Sequence, residues 1–192
     1  MIIRGQTKIN IKDCINILNM VYNKVEIIVD MDDCPRIIKC KNSEGLVEVY
    51  VTDSESQLNK VGTYKISMEA SVETLLAFLD VNGTFKVLNK ETGKTIYKAE
   101  DIQCYSLGTA CHNRYAIITI ISKSKKDYLN TKIVIDNQDK NVSKVLLEVK
   151  NGTILDAIYK RIACTLKIIQ KTKQGKRTYT IDINGKVTIK DD

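Results

Sequence analysis

Residues 165–190 read TLKIIQKTKQGKRTYTIDINGKVTIK. Polar and apolar side chains alternate through Thr165–Lys171, Thr178–Ile183 and Val187–Lys190, and β-branched residues are enriched in all three. That is the pattern of half-buried strands. Gln174-Gly175-Lys176 and Asn184-Gly185 fall between them and supply turn chemistry. Parallel pairing needs a crossover of a dozen or more residues, and these connections are far shorter. The stretch therefore predicts an antiparallel meander that ends the chain.

Upstream the same period of two recurs. Val25–Asp30, Arg36–Lys41 and Leu46–Thr52 read as strands, the last two joined by a turn over Lys41–Gly45. Thr63–Glu69 reads as a strand after a polar loop, Asp53–Lys60. Thr84–Leu88 and Lys94–Lys98 form a hairpin around Asn89–Gly93. Tyr115–Ile121 is the most apolar strand and is expected at the centre, followed by Lys132–Asp136 and Val142–Val149 across the turn Asn137–Asn141.

Three segments depart from this rhythm. Ile11, Ile15, Leu18 and Tyr22 share one helical face, with Asn10 and Asp13 resembling a capped start. Ser71 precedes Val72, Leu75, Leu76 and Leu79, which suits a helix of about two turns. Thr153 and Asp156 resemble a capping pair before Ile154, Leu155, Ile158 and Ile162. The expected fold is α+β and β-dominated, mostly antiparallel sheet with hairpins and two or three short helices. A helix-strand-strand order near 11–52, 72–98 and 154–190 hints at a unit used three times. No boundary rich in Pro, Gly or Ser appears, so residues 1–192 are expected to form a single domain; a subdivision would fall near 108–113.

Composition narrows the function classes. No strictly apolar run approaches the ~20 residues of a membrane-spanning helix, and the first residues lack the layout of a signal peptide. The expected location is a virion or the cytoplasm, neither secreted nor membrane-bound. The six cysteines, 14, 34, 40, 104, 111 and 164, are then expected as reduced thiols. Net charge is +7 and lies in the second half, where residues 101–192 hold 17 Lys/Arg against 9 Asp/Glu. A one-sided field of this kind favours an anionic partner. Lysines outnumber arginines 25 to 5, so forked contacts to bases are scarce and the nucleic-acid signal is weak. With 27 Ile, 25 Lys and 14 Asn, the codon content points to a low-GC source.

Four motifs bear on chemistry. Val25–Cys34 ends an apolar stretch in Asp30-x-Asp32, which resembles the first motif of haloacid-dehalogenase-type phosphatases. The resemblance implies a nucleophile at Asp30, a general acid at Asp32 and Mg²⁺ nearby. It covers about ten residues, and the hairpins that follow do not suit the parallel sheet which that fold requires. An acidic turn is expected instead, with a surface cation site of Asp30, Asp32 and Asp33 as the minor reading. Gly93-Lys94-Thr95 resembles the tail of a phosphate-binding loop but is flanked by strands, so it reads as a hairpin turn. Cys34, Cys40, Cys104, Cys111 and His112 are spaced too loosely for a structural zinc knuckle, so no metal and no cofactor are expected. His112 is the one histidine and has no neighbour in sequence suited to nucleophilic catalysis.

Two basic stretches remain, Lys123, Lys125 and Lys126, and Lys171, Lys173, Lys176 and Arg177 around a hairpin tip. They are the expected contacts for a polyanion or partner. With no catalytic constellation, the expected function is a non-enzymatic structural or interaction subunit of a large assembly, in self-association or with other subunits. A bacteriophage or viral particle component is the expected kind. The alternative is an intracellular nucleic-acid-binding accessory protein that uses the basic C-terminal half.

Overall fold

The computed structural model describes residues 11–29, 35–52, 57–123, 128–150, 153–160 and 163–192. One α-helix, α1 (Ile11–Val21), opens the described chain, and sixteen strands follow. The first sheet contains β1 (Lys24–Val29), β2 (Pro35–Lys41), β3 (Leu46–Thr52) and β4 (Leu58–Lys65). A 3₁₀ turn, Ile66–Met68, leads to the second: β5 (Glu69–Ser71), β6 (Leu75–Leu79), β7 (Phe85–Asn89) and β8 (Thr95–Ala99). The third holds β9 (Ile102–Ala110), β10 (Tyr115–Lys123), β11 (Tyr128–Asp136) and β12 (Lys144–Val149). The fourth holds β13 (Thr153–Lys160), β14 (Thr165–Thr172), β15 (Gly175–Ile181) and β16 (Val187–Asp191).

In every sheet each strand pairs antiparallel with its neighbour in sequence. The β-dominated, antiparallel, hairpin-rich reading therefore holds. The repeating unit is a four-stranded meander, not helix-strand-strand. Such meanders, repeated in series, are the blades from which β-propellers are built. Residues 108–113 form the tip of the β9–β10 hairpin, with Ala110 opposite Tyr115 and Gly108 opposite Ile117.

The sheets pack face to face in chain order. Ile37, Val47, Val49 and Tyr64 of the first meet Leu76, Phe78 and Leu88 of the second. Leu75, Ala77, Leu79, Phe85 and Val87 of the second meet Ala116, Ile118, Ile120, Ile133 and Ile135 of the third. Tyr115, Val134, Leu147 and Val149 of the third meet Leu166, Ile168 and Ile181 of the fourth. β6 lies between two neighbours. Its odd residues face the third sheet and its even residues the first, and all five are buried.

This sandwiching explains why the expected second helix is a strand. A strand covered on both faces is apolar at every position and loses the period of two, so Leu75–Leu79 imitates a helical cluster. The expected third helix is also a strand, β13, paired with β14 from Thr153↔Lys171 to Lys160↔Thr165. The spacing of four that joins Ile154 to Ile158 is about one helical turn, but it is also a multiple of two and so suits either period. The first expected helix is present. Leu18 of α1 packs on Ile38 and Cys40, with Ile15, Tyr22, Tyr50 and Leu58 around them. α1 thus covers the face of the first sheet that points away from the second.

A small polar cluster fixes that lid. Glu48 Oε2 accepts hydrogen bonds from Tyr22 Oη at 2.5 Å and Tyr50 Oη at 2.8 Å, and Lys60 Nζ lies 2.9 Å from Oε1. Burial pushes the Glu48 carboxyl up, but the three donors outweigh it and hold its pKa below the ordinary value.

Turns repeat one device, a short acid or amide that accepts from backbone N–H groups two to four residues on. Asn42 serves Glu44 and Leu46, Asn89 serves Glu91 and Thr92, and Asp182 serves Asn184 and Lys186. Gly93-Lys94 closes the second of these, the hairpin turn between β7 and β8, and Thr95 begins β8.

Candidate interaction face on the fourth sheet

The register of β14, β15 and β16 sorts their side chains into two faces, since residues directly opposite share a face. Leu166, Ile181 and Val187 form one row, and Ile168, Tyr179 and Ile189 the next. Gln170, Arg177 and Asp191 complete that face. Leu166, Ile168, Tyr179, Ile181 and Val187 pack on the third sheet, while Ile189 on the outermost strand is exposed. Gln170 is buried, donating from Nε2 to Lys150 O at 3.2 Å and accepting from Tyr179 Oη at 3.1 Å.

The opposite face has a different chemistry. Its rows are Lys167, Thr180 and Thr188; then Ile169, Thr178 and Lys190; then Lys171, Lys176 and Asp192. On these three strands four ammonium groups and three threonine hydroxyls share it with Ile169 and one carboxylate. Asp192 lies 2.7 Å from Lys190 and 3.8 Å from Lys176, and the Lys190 ammonium holds its carboxyl below the usual range. Residues 150–192 hold ten Lys/Arg against four Asp/Glu, so most of the chain's excess charge belongs to this sheet.

The expected hairpin tip is therefore divided. Lys171 and Lys176 stand opposite each other on the outer face. Lys173 sits in the turn between β14 and β15. Arg177 belongs to the inner face, where it donates to both carboxylate oxygens of Asp191 at 2.5 and 2.9 Å. That pairing raises the Arg177 pKa and lowers that of Asp191. Gly175 begins β15 with φ 138°, and a Cβ there would run into the carbonyl oxygen of Asp192, so the tip closes on the chain end only with glycine. Lys167 and Lys190 join the face without belonging to either basic stretch singled out in the sequence. The signal for them was the period of two carried across both turns.

Lys123 ends β10 opposite Tyr128, while Lys125 and Lys126 lie outside the described residues. Asp30, Asp32, Asp33 and Cys34 also lie outside them. Cys14, Cys40 and Cys111 are buried and Cys104 is exposed; burial pushes the Cys40 thiol up to about 11. Among the described residues no three His, Cys, Asp or Glu side chains gather as metal ligands would. Among them, too, no helix is long and apolar enough to cross a membrane.

His112 is exposed at the β9–β10 turn, in a run of three left-handed residues: Cys111, His112 and Asn113 have φ of 54°, 53° and 69°. The turn borders a cleft of about 220 Å³ shared with Thr74, Asn137 and Lys140. Beside it Arg114 stacks over Tyr115 at 5.0 Å and pairs with Asp136 at 3.3 Å. The buried carboxamide of Asn137 has no hydrogen-bond partner among the described residues.

No protein-family model matches the sequence, and no curated protein matches it. Solved structures give distant likenesses. BamB from Moraxella catarrhalis aligns over 80% of this chain and 49% of its own, with 8% identity and a TM-score of 0.32. A protein from Lactobacillus plantarum aligns over 81% of this chain and 53% of its own, with 13% identity and a TM-score of 0.33. The chain spans about half the length of each.

Proposed function

We propose that this protein is a non-enzymatic structural or interaction subunit of a larger assembly, and that the outer face of the fourth sheet is its contact surface for an acidic neighbour. The observation that carries this reading is the segregation of side chains on β14–β16. One face is spent on the third sheet. The other presents Lys167, Lys171, Lys176 and Lys190 on a rigid ladder, among threonines. Lys171 and Lys176 directly opposite each other are unfavourable for an isolated sheet. An acidic surface laid on the face would relieve that repulsion.

A second reading rests on the same face. Ammonium groups and hydroxyls serve phosphates as readily as carboxylates, and among the described residues of β14–β16 the face carries neither arginine nor an aromatic ring to read bases. A nucleic acid would therefore be held by its backbone, without sequence preference.

Light scattering on the eluting protein, with Lys167, Lys171, Lys176 and Lys190 replaced together by Gln in a variant, separates the outcomes. A discrete oligomer that the variant fails to form supports the subunit reading. A monomer that binds duplex DNA in low salt, with a salt slope that the variant reduces by about four units, supports the second. A monomer that binds no nucleic acid overturns both readings of this face.

A further inference from the structure

We propose that a cleft between the first and second sheets is a binding site for a phosphate monoester with a small apolar body. Lys24, Glu26, Lys39 and Lys41 share one face of the first sheet, since Lys24 stands opposite Lys41, and Glu26 opposite Lys39. The same face carries Val47 and Val49 opposite Lys41 and Lys39, and it is the face packed on the second sheet. Beyond the apolar contacts the two sheets leave an open cleft of about 410 Å³. Its lining includes Lys24, Lys41, Val47, Ile66, Glu69 and Ser71.

The acids of this cleft are engaged. Lys39, its side chain only 12% exposed, lies 3.2 Å from Glu26 Oε1 and 3.0 Å from Glu69 Oε1. Glu69 Oε2 accepts from Tyr64 Oη. Burial works against the Lys39 charge, but Glu69 and Glu26 outweigh it and raise its pKa. Lys24 and Lys41 are different. They face each other across the ladder, and no carboxylate pairs with either among the described residues. Lys90 adds a fourth ammonium close enough to be felt, its pKa lowered by burial and then by Lys39. The lining itself holds three ammonium groups, Lys24, Lys39 and Lys41, against two carboxylates, both already bonded, which leaves the cleft positive.

Opposed like charges in a sheet are destabilising, and a bridging anion turns that cost into an attraction. Residues directly opposite have Cβ atoms about 5 Å apart, so two lysines on one face can bring their ammonium groups onto a single phosphoryl group. A lysine meets phosphate as a point charge with three donors and needs no fixed fork. Val47 and the exposed Ile66 supply an apolar wall for the body of the ester. The doubly charged phosphoryl group matches the pair of lysines better than a single carboxylate does.

The test is calorimetric titration of the intact chain with phenyl phosphate, inorganic phosphate and benzoate. Phenyl phosphate is expected to saturate one site with a Kd of about 1 mM or tighter, and each of the other two to bind at least about tenfold more weakly. Lys24→Gln with Lys41→Gln should abolish binding and, because a repulsion is removed, should not lower the melting temperature of the free protein. Lys24→Arg with Lys41→Arg should retain it. Lys171→Gln with Lys176→Gln should leave the isotherm unchanged, which separates this site from the fourth sheet. Overturning results are a titration that does not saturate, equal affinity in the Gln variant, loss in the Lys171/Lys176 variant, or benzoate binding as tightly as phenyl phosphate.

Discussion

Phe78 distinguishes the two structures that Leu75–Leu79 could adopt. On a helix whose apolar stripe is Val72, Leu75, Leu76 and Leu79, the Phe78 side chain would fall beside the stripe and its removal would cost little. In the strand β6 it points into the first sheet, fully buried, with its ring stacked on Tyr64 at a centroid distance of 5.1 Å. Phe78→Ala then removes a buried aromatic side chain and leaves a cavity against Tyr64 and Leu88. Such changes cost about 3–5 kcal/mol, of which the lost ring pair accounts for about 0.5–1.5 kcal/mol. For a chain of this size the melting temperature should fall by about 6–20 °C. Ala77 provides the matched probe of the opposite face, being fully buried against the third sheet. Ala77→Asp places an unpaired charge there and should prevent folding. Urea titrations followed by circular dichroism read both variants. A loss below about 1 kcal/mol for Phe78→Ala, or a folded Ala77→Asp protein, would refute the two-faced strand.

Gly62 approaches the same ring, since a Cβ there would lie 2.7 Å from Phe78 Cε2 and 2.8 Å from Asp80 Oδ2. Gly62→Ala should destabilise by about 1–3 kcal/mol, and the added Phe78→Leu change should recover part of that loss in a urea titration. Glu48 predicts a pH dependence. Its folded pKa lies below the unfolded one, so its stabilisation is present above the ordinary carboxylate value and is lost as pH falls through the lowered folded value. Tyr22→Phe with Tyr50→Phe should flatten the decline of the urea midpoint below about pH 5; an unchanged slope would show that Glu48 does not carry it. Removing the buried end of α1 by Leu18→Ala should cost about 2–5 kcal/mol, and hydrogen exchange should show β2 and β3 losing protection before β10 and β11.

The legible parts of this fold were those with one wet face. β2, β3, β14 and β15 alternate because one side meets a neighbouring sheet and the other meets water or a lid, and the alternation appears directly in the residue types. The reading failed at both extremes of burial. β6 is apolar throughout because two sheets enclose it. β9 reads Ile-Gln-Cys-Tyr-Ser-Leu-Gly-Thr-Ala and carries no strand signal, because it lies at the edge of its sheet with most side chains exposed. What holds it is the backbone ladder to β10, aided by Tyr105 Oη, which donates to Met68 O at 2.9 Å and Ala77 O at 3.0 Å. No side-chain period records a ladder. β4 begins at Leu58, inside a segment that reads as a polar loop, for the same reason: Leu58 and Asn59 pair with Thr52 and Val51 at the sheet edge. On the fourth sheet, the charge total was visible in composition and the hairpin in its turn residues. Which lysines share a face depends on the register between three strands, and Arg177 therefore falls on the opposite side from Lys176.

The series of sheets also explains why its two ends differ. Each interior sheet has a neighbour for both faces, so its side chains can be apolar on both, as β6 shows. Among the described residues the first and fourth sheets each have one face that no other sheet covers, and such a face in a stacked array is stable in water only if it is covered or polar. The first sheet is covered: Ile38, Cys40 and Tyr50 lie under α1, and the Glu48 cluster ties Tyr22, at the end of that helix, to β3. On β14–β16 the fourth is polar apart from Ile169, and Lys167, Thr180, Thr188, Thr178 and Lys190 occupy positions that on β6 hold Leu, Ala and Phe. The two solutions have different consequences. A helix packed through Leu18 removes the first sheet's outer face from further contact, whereas a lysine–threonine face remains available to a charged partner. Contacts made by this chain through a sheet face should therefore be made at the fourth sheet. Deleting α1 should transfer that behaviour to the first sheet by exposing Ile38 and Cys40, and the product should aggregate even in high salt, because the surface uncovered is apolar. Association through the fourth sheet should instead weaken as salt screens the lysines.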